Sequence, residues 1–384
     1  MKKWYCLFFV GFLLTGCRES AKPENAQYAE VQKTWKPKYA QGFIAESTGD
    51  GVIYLTIKNP WPGAKRDFRY ALVTREKTSE FTPPKDGLDG VVEIPVRRII
   101  LTSTTQVPAL ETLGMEERLV GFPGLDYISS PITRRRIEAG EVGELGANEQ
   151  LNTELVLSLD PDLIVGFGVS GAPSSYQALE TSGIPVVYNG DWIKKDPLGK
   201  AEWILFFGLL LGEEEAAQSA FEKVENAYQQ ARALAAEATE SPTVLSGALY
   251  RDVWYLPGGD SWAARFIRDA NARYLWEGTP GNGSLSLSLE SVLEKGSEAD
   301  FWIAPSQFTS YAEMTRSNQH YGQFRAFRNK KIYTYALSRG AGTGMLYYER
   351  GPGRPDLILK DLIYWLHPGL LPDYTPVFFK PLQP

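Results

Sequence analysis

Residues 198–236 limit the possible folds of this chain more than any other segment. The segment contains no proline and few glycines, and its apolar residues recur at helical spacing among alanine, leucine, glutamate and lysine. A single helix over this range would be about 55 Å long at about 1.5 Å of rise per residue. Gly208 and Gly212 are the positions at which such a helix would be weakest. We interpret the segment as a rigid connection between the parts of the chain on either side of it.

Both flanking parts alternate short apolar strands with helices. Four strands are predicted before the connecting helix, at 98–102, 119–122, 163–165 and 184–188. Three strands are predicted after it, at 243–246, 300–304 and 331–335. Apolar strands that alternate with helices predict a mostly parallel sheet. The expected fold class is therefore α/β, with two Rossmann-like lobes joined by one long rigid α-helix.

A different pattern precedes the first lobe. Residues 43–95 alternate apolar and polar side chains between turns, which predicts a small N-terminal β addition. We therefore expect the following boundaries: a signal peptide at 1–17, a flexible tether at 18–40, the β-rich addition at 41–95, lobe one at 96–197, the linking helix at 198–238 and lobe two at 239–384.

The N-terminus has the layout of an export signal. Lys2 and Lys3 precede an apolar run that is shorter than the about 20 residues needed to span a bilayer, and Gly16-Cys17 follows. This layout resembles the lipobox of bacterial lipoproteins, in which the cysteine thiol receives a diacylglyceryl group. We expect an exported protein, periplasmic or at the cell surface, that is lipid-anchored through Cys17. The only other cysteine is Cys6, so no disulfide is expected in the mature chain.

Composition and charge exclude several classes of function. The net charge is −6 and includes Lys2 and Lys3, so it becomes −8 without the signal, which argues against a nucleic-acid partner. With only His320 and His367, a site for a bare metal ion is not expected, nor is a bis-histidine haem site. Neither a Gly-x-Ser-x-Gly nor a His-Glu-x-x-His motif occurs, so we do not expect an enzyme, and a lipid-anchored hydrolase is the weakest alternative.

Three segments carry a resemblance to a known family. They are RIILTSTT at 98–105, LETLG with LVG between 110 and 121, and NTELVLSLDPDLIV at 152–165. Over most of residues 96–370 the chain resembles the substrate-binding proteins of ABC importers for iron–siderophore complexes and vitamin B12. The resemblance implies a monomer with a ligand cleft between its lobes, no resident cofactor, and an ABC permease with its ATPase as partners. It implies a metal chelate as ligand, an iron–siderophore complex first and a cobalamin or other corrinoid as the alternative; a surface-anchored binding protein without a transporter is a further alternative.

The family resemblance also implies that two residues dock onto the permease. In the family, one surface glutamate on each lobe meets arginines of the permease. Glu154 and Glu290 match these positions, and each is followed by x-Val-Leu. The distance from Glu290 to Asp300 is two residues longer than that from Glu154 to Asp162, so the second match departs from the first.

Candidate ligand-binding residues are expected in loops at the carboxyl ends of strands, where open α/β sheets bind ligands. Aromatic walls suit bulky chelates, and an arginine suits the negative charge of a ferric complex. The glycine run at 166–171 matches a dinucleotide fingerprint but follows a late strand, so we interpret it as a cleft loop and not an NAD site. The candidates are Thr104, Thr105, Tyr127, Gly168, Trp192, Tyr250, Trp254, Trp262 and Arg339.

Overall fold

The computed structural model describes Met1 and residues 31–85, 87–169, 171–193 and 195–384. The proposed lipidation site, Cys17, lies outside these residues, as do the signal peptide and most of the tether. Within them, no helix has the length and apolar character needed to cross a membrane. The architecture is α/β with two lobes, which confirms the predicted fold class.

The N-terminal unit is a five-stranded sheet in which the strands lie in chain order. The strands are β1 (Lys33–Trp35), β2 (Phe43–Ser47), β3 (Val52–Ile57), β4 (Phe68–Thr74) and β5 (Gly90–Ile94). The first four are antiparallel neighbours, and β5 runs parallel to β4. One face of the sheet joins the core of lobe one, so the addition is packed onto that lobe.

Lobe one is built on a parallel five-stranded sheet. Its strands are β6 (Ile99–Leu101), β7 (Leu119–Phe122), β8 (Gly143–Glu144), β11 (Leu163–Gly166) and β12 (Val186–Tyr188), in the order β12-β11-β6-β7-β8. A separate small ribbon pairs β9 (Gly146–Ala147) with β10 (Gln150–Leu151). The helices are α1 (Val107–Thr112), α2 (Pro131–Glu138), α3 (Thr153–Leu159) and α4 (Ser174–Thr181).

Three helices connect the lobes: α5 (Pro197–Ala201), α6 (Ile204–Leu211) and α7 (Glu214–Ala235). The prediction of one uninterrupted helix over 198–236 is therefore wrong. One long helix, α7, is present in the second half of this segment. Gly212 ends α6 in the left-handed conformation, at φ +74°, which an uninterrupted helix cannot contain. A Cβ on Gly208 would lie 2.6 Å from the Cβ of Ala217, so glycine there allows α6 to pack closely on α7.

The connecting helices pass between the two cores. Side chains of α6 belong to the core of lobe one, whereas α5 and most of α7 belong to that of lobe two. The buried carboxylate of Glu202, between α5 and α6, accepts hydrogen bonds from the backbone N–H groups of Lys38, Tyr39 and Ala40 at 2.6–2.8 Å. The start of the N-terminal unit is thus bound to the junction between the lobes.

Lobe two repeats the parallel sheet, with β20 added antiparallel to β19 at one edge, and has a second sheet that is antiparallel. The main sheet has the order β16-β13-β18-β19-β20, and the second has the order β14-β15-β17. The strands are β13 (Thr243–Ser246), β14 (Ala248–Tyr250), β15 (Val253–Pro257), β16 (Arg273–Tyr274), β17 (Ser284–Leu287), β18 (Phe301–Ile303), β19 (Ile332–Thr334) and β20 (Lys380–Pro381). The helices are α8 (Trp262–Asp269), α9 (Leu289–Gly296), α10 (Tyr311–Ser317), α11 (Arg325–Arg328), α12 (Leu346–Arg350) and α13 (Pro355–Leu366). Short 3-10 helices lie at Thr104–Gln106, Glu116–Arg118, Leu125–Tyr127, Asp191–Ile193 and Gln319–Gln323.

Trp254 lies in the core of lobe two and not in the cleft, which corrects its assignment as a ligand contact. The segment around it forms the hairpin β14–β15, and the alternation of the strand turns Trp254 inward and Tyr255 outward. The Trp254 side chain is fully buried, stacks on Trp302 with ring centroids 5.2 Å apart, and donates its indole N–H to the backbone oxygen of Ser246.

Replacing Trp254 with alanine is expected to destabilise the protein by about 3–5 kcal/mol, because it empties a closely packed aromatic cluster. Urea unfolding followed by circular dichroism measures the change. Tyr255→Ala on the same strand is the matched control, since that side chain is 41% exposed and its loss is expected to cost much less. Equal losses for the two variants would contradict this account of the strand.

Candidate functional site

The two main sheets direct the carboxyl ends of their strands into one cleft between the lobes. A cavity of about 720 Å³, the main cavity, lies in this cleft. Lobe one contributes residues that follow β6, β7 and β8, and lobe two contributes residues that follow β18 and β19. The residues used below are Thr104, Tyr127, Gln307, Arg339, Met345 and Tyr348. Both lobes therefore form the wall of a site large enough for a bulky small molecule.

Two further cavities, of about 520 and 670 Å³, extend the cleft over lobe two. The first shares Tyr348 with the main cavity, and the second shares Gln307. Tyr127 borders the main cavity, Tyr250 borders both further cavities, and Tyr348 borders the main cavity and the first of the two. Their side chains are 61%, 65% and 47% exposed, so the cleft carries large aromatic surfaces that no protein core covers. Exposed aromatic surface of this kind is typical of a binding site.

The lobes contact each other beside the main cavity. The Glu349 carboxylate, in lobe two, accepts hydrogen bonds from the backbone N–H groups of Ser129 and Ser130 in lobe one, at 2.5 and 2.9 Å. Burial raises the pKa of Glu349, although these two hydrogen bonds act in the opposite direction. The Thr343 N–H also donates to the backbone oxygen of Asp126 at 2.9 Å. These bonds fix the loop at 339–345 against lobe one.

Glu144 holds the loop that carries Tyr127. Its carboxylate accepts hydrogen bonds from the backbone N–H groups of Gly124, Leu125 and Gly146 at 2.8–2.9 Å. Partial burial alone would raise the pKa of Glu144, but these hydrogen bonds outweigh it and lower the pKa below its ordinary value of 4.5. Ionised Glu144 therefore stabilises one wall of the main cavity.

Glu154 and Glu290 occupy matching positions on the two lobes. Each is exposed and lies in the first turn of its helix, two residues after the N-cap, which is Asn152 for α3 and Ser288 for α9. Each N-cap side chain accepts a hydrogen bond from the backbone N–H three residues later. Helix α3 precedes β11 and helix α9 precedes β18, so the two glutamates are related by the repeat of the lobe.

Comparison with known families identifies the chain. The sequence pattern described as periplasmic binding protein matches residues 99–336, which is more than half of the chain. The chain belongs to the periplasmic binding protein family. Members of this family bind solutes, and the arrangement of two lobes around a cleft agrees with that activity.

Individual relatives of this periplasmic binding protein are distant. An uncharacterized lipoprotein of Methanocaldococcus jannaschii is 23% identical over 287 residues, which is 72% of this chain and 67% of the relative. A possible iron-binding (periplasmic solute-binding) protein of Staphylococcus epidermidis has a TM-score of 0.55 at 20% identity, covering 71% of this chain and 99% of its own. A periplasmic heme binding protein of Pseudomonas aeruginosa has a TM-score of 0.55 at 21% identity, covering 73% and 96%. At these identities the likeness establishes the fold.

The structure brings five of the nine candidate ligand residues to the cleft of this binding protein. Thr104, Tyr127 and Arg339 line the main cavity, and Tyr250 and Trp262 line the cavity beside it. Trp254 lies in the core, and the three remaining candidates make contacts within the protein and do not line these cavities. Thr105 donates its hydroxyl to Asp191, the Trp192 ring packs against Phe167, and a Cβ on Gly168 would lie 2.5 Å from the backbone oxygen of Gly171.

Several lining residues were not predicted. Asn148, Glu149, Gln307, Met345 and Tyr348 all face the main cavity. The first two follow the small β9 strand, and Gln307 follows β18. Only Tyr348 carried a signal in the sequence, because it stands next to Tyr347 just beyond the glycine-rich loop. No group of three or more histidine, cysteine, aspartate or glutamate side chains suited to a metal ion occurs in the part of the chain that the structure describes.

The hydrogen bonds of Glu144 predict a pH-dependent contribution to stability. Because its folded-state pKa is lowered, the stabilisation is present above its ordinary pKa of 4.5 and is lost as the pH falls through the lowered value. Glu144→Gln is expected to reduce the Tm at neutral pH, by an amount equivalent to about 1–2 kcal/mol. The difference in Tm between wild type and variant, measured from about pH 7 to about pH 3, should shrink to near zero at the acid end. A difference that stays constant over this range would contradict the assignment.

Proposed function

We propose that this periplasmic binding protein is the substrate-binding lipoprotein of an ABC importer and captures a metal chelate between its lobes. The observation that supports this most is the cleft itself, in which exposed tyrosines and an arginine border connected cavities of about 720 and 520 Å³. That volume and that aromatic surface suit a bulky ligand of low flexibility. A catalytic role has no comparable support, and the family is one of binding proteins.

A ferric siderophore is the ligand that we favour. Ferric catecholate and hydroxycarboxylate complexes carry negative charge, and Arg339 projects from the loop between the lobes with its Nε–H bound to the backbone oxygen of Ala336. The rest of its guanidinium is exposed and can receive the ligand. Arg251, which lies over the ring of Tyr250 at 5.5 Å, adds a second cation beside the cleft.

A flat tetrapyrrole is the second candidate. The aromatic surfaces of the cleft favour it, and the proteins from Pseudomonas aeruginosa and Vibrio cholerae with similar folds are described as heme-binding. A cobalamin or another corrinoid would use the same aromatic walls and place its phosphate near Arg339. A further alternative is that the protein is a surface-anchored binding protein that has kept the fold but works without a transporter.

Delivery to a permease is supported by the matching geometry of Glu154 and Glu290. Two exposed carboxylates, one on each lobe, can engage two cationic sites of a symmetric permease and fix the orientation of the complex. Leu157, three residues after Glu154, is 47% exposed and adds an apolar contact on the same face of α3.

Attachment to the membrane through Cys17 completes the proposal. One relative is described as a lipoprotein, which agrees with the lipobox in this sequence. The tether predicted at 18–40 is too long at its C-terminal end, because β1 at Lys33–Trp35 pairs with β2 and the backbone of Ala40 is bound by Glu202. The part of it that precedes β1 would then join the anchor to the β-rich addition predicted at 41–95. Lobe one at 96–197, the linking segment at 198–238 and lobe two at 239–384 would act as one monomeric receptor.

Calorimetric titration of the purified protein tests the proposed ligand. The panel contains a ferric catecholate, ferric citrate, a ferric hydroxamate, cyanocobalamin and haemin, each with its metal-free or iron-free form as control. We expect saturable one-to-one binding of a ferric chelate and much weaker binding of the iron-free siderophore. Binding of cobalamin or haemin alone would move the assignment to the second candidate. Binding of no member of the panel would contradict the chelate hypothesis.

A further inference from the structure

The turn at residues 59–63, which we name the brace turn, is one point at which the N-terminal addition contacts lobe one. It lies between β3 and β4 and has the sequence Asn-Pro-Trp-Pro-Gly. Its two prolines restrict the backbone, and the backbone oxygen of Trp61 accepts the N–H of Ala64 at 3.1 Å. The match to the family pattern begins only at residue 99, so this rigid turn belongs to a part of the chain that the match does not include.

The brace turn packs against the loops that follow two strands of lobe one. The Trp61 ring lies edge-on to Tyr188, the last residue of β12, with ring centroids 5.2 Å apart. A Cβ on Gly190 would lie 3.1 Å from the Cα of Pro60, and a Cβ on Gly168 would lie 3.3 Å from the Trp61 ring. Glycine at both positions therefore allows the turn to approach closely. The two loops follow the carboxyl ends of β11 and β12, at the edge of the parallel sheet that faces the cleft.

A network of hydrogen bonds continues from this contact to the wall of the main cavity. Tyr176 is fully buried, packs against Tyr188 with ring centroids 6.3 Å apart, and donates its hydroxyl to Oδ1 of Asn148 at 2.6 Å. Nδ2 of Asn148 donates to the backbone oxygen of Phe167 at 3.2 Å. The Phe167 N–H donates to the hydroxyl of Thr102 at 2.9 Å. Because Asn148 and Thr102 both line the main cavity, contiguous contacts connect the brace turn to the cavity wall.

This network leaves the Asn148 amide one orientation. A backbone oxygen can only accept a hydrogen bond, so the amide nitrogen must face Phe167 and Oδ1 must face the Tyr176 hydroxyl. Asn148 is thus held by two residues that do not line the main cavity themselves. Binding residues need such support, because a side chain displaced by more than about 0.5 Å no longer fits its partner. A shift of the loop at 167–169 would therefore change the wall of the main cavity.

We infer that the brace turn is part of the binding apparatus, and that Trp61 and Tyr176 are positioning residues that hold Asn148 and Thr102 in the wall of the main cavity. The inference rests on the proposed binding of a chelate in that cavity, to which it adds the N-terminal addition as a working component. Neither Trp61 nor Tyr176 lines the cavity, so each acts through the loop at 167–169 and through Asn148. A purely structural role for the addition would change the stability of the protein and leave ligand affinity as it is.

Hydrogen–deuterium exchange of the purified full-length protein, without added chelate, gives the first test. Trp61→Ala is expected to accelerate exchange of the amides at 146–149 and 167–169 about tenfold, because the loop after β11 loses its support. Trp35→Ala is the matched control, since Trp35 is also a half-buried tryptophan of the addition that packs on the core of lobe one, but it lies in the edge strand β1. It should lower the Tm and leave these amides unchanged. Unchanged exchange in Trp61→Ala, or equal acceleration in both variants, overturns the inference.

Calorimetric titration with ferric enterobactin and ferric citrate separates positioning from stability. Trp61→Ala and Tyr176→Phe should each weaken binding of the chelate that wild type binds by about tenfold, because Asn148 loses its fixed position. Trp61→Phe keeps a ring against Tyr188 and should restore most of the affinity, whereas Trp35→Ala should bind within about twofold of wild type.

Wild-type affinity in both Trp61→Ala and Tyr176→Phe overturns the inference. Tyr176→Phe keeps the buried ring and removes only the hydroxyl, so it tests the network even if Trp61→Ala does not fold. A wild-type protein that binds neither chelate contradicts the proposed function instead, and the exchange experiment, which uses no ligand, then decides whether the brace turn supports the cavity wall.

Discussion

Reversing the charge of both Glu154 and Glu290 is expected to abolish uptake of the ligand into cells while leaving its affinity for the purified protein unchanged. Both carboxylates are exposed at the first turn of a helix, and neither lines the cleft cavities. Lysine at both positions would place like charges against the proposed arginine sites of the permease, which costs several kcal/mol at an interface. Uptake of labelled chelate by cells and calorimetric titration of the purified variant measure the two effects.

Exposed glutamates elsewhere on each lobe provide the controls. Glu138→Lys at the end of α2 and Glu277→Lys after β16 make the same change of charge at exposed positions of the two lobes, and uptake by this double variant should resemble wild type. Each single reversal, Glu154→Lys or Glu290→Lys, should reduce uptake less than the double variant. A loss of ligand affinity in the double variant would place these residues in the binding site and contradict the docking proposal.

Removing the charge of Arg339 is expected to have the largest effect on ligand binding. Arg339→Gln should weaken binding of an anionic ferric chelate at least tenfold, which corresponds to about 1.4 kcal/mol. The guanidinium lies at the main cavity on a loop that contacts both lobes, and its Nε–H is held by the backbone oxygen of Ala336. Arg339→Lys keeps the positive charge and should therefore lose less affinity than Arg339→Gln. Some loss is still expected, because the lysine ammonium is a point charge and cannot reproduce the planar, forked hydrogen bonding of a guanidinium.

Arg268→Gln tests whether the effect is local. This arginine is exposed at the end of α8, in the same lobe, and lines none of the cleft cavities described above. Its replacement changes the net charge equally and should leave chelate affinity within about twofold of wild type. Equal losses for Arg268→Gln and Arg339→Gln would indicate a general effect of charge and not a contact with the ligand.

The arrangement of the lobes was predictable because it rests on local patterns. The strands at 99–101, 119–122 and 163–166 are short apolar runs between helices, and buried parallel strands have this composition. The interruption of the connecting helix was not predictable from composition. Its cause is the left-handed turn at Gly212, and packing of α6 onto α7 selects that turn over a continuous helix.

Residues of the cleft were harder to predict than the fold. Trp254 and Tyr250 stand four positions apart and look alike in the sequence, yet one is fully buried and the other is 65% exposed. The hairpin β14–β15 decides between them, because neighbouring side chains of a strand point to opposite faces. Gln307 and Asn148 reach the cavity only through the arrangement of loops from different strands, for which the sequence has no periodic signal.

Hydrogen–deuterium exchange of the purified protein, with and without the ferric chelate that binds most tightly in the panel, tests the central claim most directly. A ligand held between the lobes should protect amides at 123–130 in lobe one and at 339–348 in lobe two together. The proposal predicts this joint protection, with little change on the outer strands β1 and β2. Protection of one lobe alone, or of neither segment by any chelate in the panel, would contradict capture of the ligand in the cleft.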